Sequence, residues 1–152
     1  MTKEELLDHY PIFKNMNAED AEVLVKNVQE ISYPKGQVLF EAGTQGEEMY
    51  IIKSGLIKIS RVFEGNELTL GVTGAGGVCG EMALVDEGPR SAKASVVEDF
   101  QGLVMSRKVF YEMRKQCPSL YLCLLEIIIY FICRHLRQAN QTMQVIRFWI
   151  RK

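Results

Sequence analysis

Gly80-Glu81-Met82-Ala83-Leu84, continued after Val85, Asp86, Glu87 and Gly88 by Pro89-Arg90-Ser91-Ala92, is the stretch from which the rest of the chain is read. Gly80 lacks the Cβ that would hold a ligand away from the backbone, and it can enter a tight bend. Glu81 begins a short helical turn, whose first amides point outward and carry partial positive charge. Arg90 adds the formal charge, in a planar fork that grips two phosphate oxygens at once. Glu81 cannot hold that phosphate, because an ionised carboxylate only accepts hydrogen bonds; its partner is a sugar hydroxyl beside the phosphate. Carboxylate for hydroxyl and guanidinium for phosphate together describe a ribose phosphate. Met82 and Leu84 are expected to pack inward, while Ala83, Ser91 and Ala92 leave room for amide contacts. Taken singly, Arg90 reads equally well as an exposed turn arginine and Glu81 as a carboxylate favoured by a helix start. Only the whole spacing carries the phosphate reading.

Strand signals surround the cassette. From Ile31 to Met105, runs of β-branched and aromatic residues are broken at Pro34, Gly36, Gly43, Gly55, Gly65 and the glycine-rich positions 74–77. Leu56 to Val62 alternates apolar and polar residues, and the regular turn signals predict a barrel or roll. Ahead of the strands, Thr2 with Glu5 forms a capping box, and Asn17 precedes a second helix bearing Ala21, Leu24, Val25 and Val28. Behind them, Arg107 to Gln116 reads as a short helix ended at Pro118, where a long helix begins. The chain is thus expected to be one α+β domain over 1–152, with helices over about 1–30, strands with the cassette (80–92) over 31–106, and helices over 107–152.

The cassette resembles the signature of the cyclic nucleotide-binding domain family, shared by bacterial catabolite activators, kinase regulatory subunits and gated channels. Tyr33-Pro34-Lys35-Gly36-Gln37-Val38-Leu39-Phe40, then Gly43, Gly46-Glu47-Glu48-Met49-Tyr50-Ile51-Ile52 and Gly55, are similar to the strands and glycine turns of that family's β-roll. Residues from roughly 10 to 140 are covered by the likeness. Cys79 and Gly76-Gly77 depart from the family's usual residues, beside rather than at the contact positions. The resemblance implies an antiparallel, jelly-roll-like β-roll (a double-stranded β-helix) with N-terminal helices, a short cassette helix and a long C-terminal dimerisation helix. It implies ligand contacts from Gly80, Glu81, Met82, Ala83, Arg90, Ser91 and Ala92. In the family the long helix covers the nucleotide and reaches its base; the polar candidates for this are Asn140, Gln141 and Thr142, with Asn140 and Thr142 put forward as contacts. A threonine at the position of Ser91 accompanies cGMP preference in the family, so Ser91 points to cAMP as ligand, with cGMP second. No other cofactor is implied.

The long helix has a pattern of its own. Leu122, Leu125, Ile129, Ile132, Leu136, Ala139, Met143 and Ile146 alternate steps of three and four, the seam of a two-stranded coiled coil. A homodimer through Leu122 to Ile146 is expected. The neighbouring stripe of Leu124, Ile127, Ile128 and Phe131 is expected to pack back on the roll, which makes the helix a transmitter between site and partner.

Composition sets the outer bounds. The chain has 152 residues and a net charge of −1, so the charge balance as a whole does not call for nucleic acid. The charged Met1–Asp8 segment is no signal peptide, and Glu126 and Arg134 are expected to interrupt any membrane span of ~20 apolar residues. Cys79, Cys117, Cys123 and Cys133 lack metal-ligand spacing and read as reduced, buried thiols of a cytoplasmic protein. His9 and His135 show no partner pattern and read as surface or packing residues. Past Glu126 the basic residues Arg134, Arg137, Arg147, Arg151 and Lys152 gather beside Phe148, Trp149 and Ile150; a solvated coiled-coil face is preferred here over a membrane-surface anchor. No helix-turn-helix follows the long helix, so direct DNA reading is not expected. Nor is catalysis, because no paired base and nucleophile, metal cluster or Walker loop is present.

These readings predict a cyclic nucleotide sensor, cAMP before cGMP, that regulates a separate, unnamed partner by moving its C-terminal helix. Two alternatives stay open. One is a dimeric scaffold whose cassette binds no nucleotide; the other is a transcription-regulator-like protein acting through another chain, or a redox sensor using Cys79.

Overall fold

The computed structural model describes residues 1–150, with side chains described as far as Gln141. The elements run α1 (Lys3–His9), a single 3-10 turn (Pro11–Phe13), α2 (Ala18–Asn27), β1 (Gln29–Tyr33), β2 (Val38–Phe40), β3 (Glu48–Phe63), β4 (Asn66–Gly74), β5 (Val78–Cys79), α3 (Met82–Val85), β6 (Lys93–Ser106), α4 (Arg107–Gln116) and α5 (Pro118–Ile150). This is the expected α+β architecture: an antiparallel, jelly-roll-like sheet between N-terminal helices and a long C-terminal helix.

The helices start where the sequence provides for their unpaired amides. The Glu5 amide donates to Thr2 Oγ1 at 3.2 Å and the Thr2 amide to Glu5 Oε2 at 2.7 Å, closing the capping box. Asn17 Oδ1 accepts from the Asp20 amide at 2.8 Å to start α2, and Ser106 Oγ accepts from the Val109 amide at 3.3 Å to start α4. Pro118 opens α5, where its missing N–H forfeits no intrahelical bond.

The sheet order is β1-β6-β3-β4, with β2 also on β6 and β5 on β3, all antiparallel. β3 and β6 are 16 and 14 residues long and serve both halves of the roll. Register shifts at Ile52/Ser54, Ser54/Leu56 and Leu56/Ile57 bend β3. Gly55 sits at the bend with φ 94°, and a Cβ there would collide with the Asp99 carbonyl. Against β4 the pairing steps from Ile59↔Gly71 to Ser60↔Thr69, so the extra residue is Leu70 of β4, and there β3 runs on unbroken against β6. The alternation expected over Leu56–Val62 is not kept at its end, where Ser60 is buried and Val62 is 66% exposed. The buried Ser60 hydroxyl is satisfied by donating to Glu67 Oε1 at 2.7 Å.

Successive residues of β3 feed two cores. Met49 and Ile51 face one side, together with Leu103 and Met105 of β6, and form a layer with Leu6, Phe13, Leu24, Phe110 and Leu120 of the helices. Tyr50 and Ile52 face the inside of the roll with Ile57, Cys79, Val96 and Phe100. α5 joins the first core through Leu124, Ile128 and Phe131, all buried, with Ile127 half-buried. The stripe predicted to pack back on the domain therefore does so, chiefly through three of its four members. Burial of each such side chain is worth roughly 1.5–3 kcal/mol. α2 is tied to the start of α5 by Asp20, whose buried carboxylate accepts from Ser119 Oγ at 2.7 Å and Cys117 Sγ at 3.2 Å.

Two expectations need correction. Cys79 is buried, but Cys117 and Cys123 are only half-buried and Cys133 is exposed; all four are free. Nor do Glu126 and Arg134 take the long helix below membrane-span composition: Pro118–Gln141 has 24 residues at a hydropathy of 1.7, enough by length and composition. Its apolarity has a local use, since one face lies in the first core. The outer positions of the predicted seam, Leu122, Ile129 and Leu136, are 57–60% exposed. Met143, Ile146, Thr142 and the basic tail from Arg147 lie outside the residues whose side chains are described.

Candidate functional site

The segment between β5 and β6 closes over a cavity of about 580 Å³ whose other walls are Phe40 of β2, residues 68–73 of β4, and His135, Gln138 and Ala139 of α5. Gly80, Glu81, Met82, Ala83, Arg90, Ser91 and Ala92 all line it, so the cassette residues predicted to act together are brought together. Leu84 is fully buried as expected. Met82 is 47% exposed and does not pack inward, because the one-turn helix presents Ala83 and Leu84 to the domain and turns Met82 and Val85 out.

Arg90 is held by its backbone first. Its amide donates to the Thr44 carbonyl and its carbonyl accepts from the Gly43 amide, each at 2.8 Å. Its side chain, 8% exposed, lies in a slot between two glycines: a Cβ on either Gly46 or Gly80 would run into the guanidinium. Gly80 has φ 78°, so it meets both demands of the site, a left-handed backbone and open space. Nη2 donates to the Glu48 carbonyl at 2.8 Å and Nη1 to the Gly80 carbonyl at 3.2 Å, and Cζ stands over the Phe40 ring. Nε is buried without a hydrogen-bond partner, and no carboxylate pairs with the group among the described residues. Burial pushes its pKa down, yet arginine stays charged. A desolvated cation with neutral partners only is poised for an anion.

Glu81, 5% exposed, is the N-cap of α3. Its Oε1 lies 2.8 Å from Nδ1 of His135 on α5. That bond, against the opposing pull of burial, raises the His135 pKa. The expectation that His135 is a mere surface or packing residue is overturned: it lines the cavity and meets the cassette carboxylate. The amide of Ala83, expected to be open to a ligand, donates to the Gly80 carbonyl at 3.2 Å and that of Leu84 to Glu81 at 3.1 Å, both used to close the turn.

Arg107, the first residue of α4, has a role that its place at a helix start does not announce. Its Nε donates to the Ala83 carbonyl at 2.6 Å, and its Nη2 to the carbonyls of Gly46 and Asp86 at 2.6 and 3.0 Å. One guanidinium thus gathers both ends of the cassette helix and the Gly46 turn. On α5, Asn140 is exposed and does not line the cavity, and Thr142 is outside the described side chains. Helical phase explains the miss: continuing the buried stripe 124, 128, 131 by steps of four and three arrives at His135 and Gln138, not at Asn140.

Cys79 lines the same cavity, but burial, aided by the Glu81 charge, pushes its thiol up to about 12. A thiol so rarely ionised is a poor nucleophile, which weighs against the redox-sensor alternative.

Residues 30–117 match the family model for a cyclic nucleotide-binding domain. The chain is 31% identical over 139 residues to the cyclic AMP receptor protein of Thermus thermophilus, covering 91% of this chain and 62% of that one. The crystal structure of the Thermus thermophilus catabolite activator protein superposes with a TM-score of 0.74 at 30% identity, over 91% of this chain and 63% of that chain. A cyclic nucleotide-binding domain from Methylobacillus flagellatus shares the fold at a TM-score of 0.85 and 20% identity, over 93% and 84% of the two chains. The chain thus spans less than two thirds of the curated relatives it matches.

Proposed function

Since this chain belongs to the cyclic nucleotide-binding domain family, a family of regulatory binding domains and not of enzymes, we propose that it is a cytoplasmic cAMP sensor acting as one unit over 1–152. The observation that carries this reading is Arg90: a buried guanidinium with an unpaired Nε, set beside Glu81 on one cavity. A cyclic phosphate supplies the missing anion, and the ribose hydroxyl beside it donates to the carboxylate. The base then lies toward β4 and α5, where Gln138 and Ala139 close the cavity. Exposed Ser91 at the cavity wall, together with the receptor and activator relatives, supports cAMP over cGMP.

Output runs through α5. Its inner face is fixed in the first core and its outer stripe of Leu122, Ile129 and Leu136 is bare, which supports a homodimer along the 122–146 seam. Ligand shifts the population of α5 positions to the extent that it binds one better than the other, and a separate protein reads the change. Calorimetric titration of unfolded and refolded, nucleotide-free protein with cAMP and then cGMP tests this. Tight cAMP binding that is lost in Arg90→Ala is the expected result. Heat from neither nucleotide would leave the dimeric scaffold as the better account.

A further inference from the structure

Glu81 has two claimants. Its carboxylate Oε1 lies 2.8 Å from His135 Nδ1, and its side chain retains only 6% of its surface while that of His135 retains 43%. Under the nucleotide-binding reading, on which this inference rests, the same carboxylate must accept from the ribose hydroxyl. A carboxylate so nearly covered has little surface for a second donor. We propose that His135 competes with the ligand for Glu81, so that nucleotide binding frees α5 from the cassette and releases a proton.

The linkage follows from which form of the ring holds Glu81 best. Imidazolium and neutral Nδ1–H imidazole both donate, but only the imidazolium adds an ion pair to a buried carboxylate. The contact with Glu81 raises the His135 pKa above its ordinary 6.5, and losing that contact lets it fall. Ligand affinity is therefore full above the ligand-free pKa, drops as pH falls through it, and levels off below the ligand-bound pKa. Few other groups compete for this role. The cassette brings Glu81, Asp86, Arg90 and Cys79 to the cavity; residues 68–73 of β4, Phe40 of β2 and Ile59 of β3 are not titratable; α5 itself adds Arg134, which opposes His135 protonation. Arginine stays charged throughout, and the Cys79 thiol, pushed up to about 12, titrates above this window. The phosphodiester of the ligand stays ionised throughout.

The test is calorimetric titration with cAMP at pH 8 and at pH 5.5, in buffers of different ionisation heat so that proton release is counted. Wild-type affinity is expected to weaken toward the lower pH, with a slope that approaches about tenfold per unit where one proton leaves per ligand. His135→Leu is expected to bind more tightly, without slope or proton release. His135→Gln keeps an amide donor at Glu81 and is expected to bind without slope. A flat wild-type profile, a slope retained in His135→Leu, or weaker binding by His135→Leu at pH 8 would each overturn the competition while leaving the nucleotide site standing. No cAMP binding by the wild type at pH 8 would remove the sensor reading itself.

Discussion

The guanidinium carbon of Arg90 stands 4.0 Å above the centroid of the Phe40 ring, so a residue of β2 forms the floor of the anion site. The attraction of a desolvated cation for a ring face reaches ~2 kcal/mol. Phe40→Ala is expected to leave the circular dichroism spectrum unchanged and weaken cAMP binding by about tenfold, since 1.4 kcal/mol is a factor of ten. Phe40→Tyr keeps the ring face and is expected to bind as the wild type does.

Arg107 binds three carbonyls, two on the cassette helix and its cap and one in the Gly46 turn, and its loss strands all three. Arg107→Ala is expected to lower stability by about 2–3 kcal/mol, read as a lower denaturation midpoint in urea at unchanged slope. Arg107→Lys, a point charge without the fork, is expected to recover only part of this.

The Asp20 carboxyl is pushed up by burial, but hydrogen bonds from Ser119, Cys117 and Asn17 outweigh that and hold its pKa below the ordinary 3.8. A depressed folded pKa gives stability that is present above the unfolded value and lost as pH falls through the folded one. Ser119→Ala is expected to cost about 1 kcal/mol at pH 7. In urea titrations the gap from wild type is expected to shrink as the pH is taken below 3.8.

Ile129 is 57% exposed, whereas its neighbour Ile128 is 1% exposed. Ile129→Glu is expected to leave the fold intact and shift sedimentation from dimer to monomer. Ile128→Glu places a carboxylate in the first core and is expected to unfold the chain.

Where local chemistry decides, the sequence was a sound guide. Thr2, Asn17 and Ser106 cap helices because a short polar side chain is all that a helix start requires. The cassette was legible because Gly80, Glu81 and Arg90 lie within eleven positions and fold on one another. What was not legible depends on elements meeting from afar. His135 lies 54 positions from Glu81, and Arg107 lies 61 from Gly46. Ser60 is buried where its hydroxyl meets Glu67 of β4, and no alternation rule within β3 anticipates that partner. Met82 turned out because a single helical turn has one inward face, and Ala83 and Leu84 fill it.

The slot between Gly46 and Gly80 also changes the meaning of an Arg90→Ala variant. Alanine removes a charge and, in addition, leaves a flat vacancy bounded by two backbones and the Phe40 ring, with the Glu48 and Gly80 carbonyls facing into it. Those dimensions and acceptors suit a free guanidinium ion. Chemical complementation thus becomes available to this site: millimolar guanidinium, far below denaturing levels, would return cAMP binding to a folded variant and do nothing for a misfolded one.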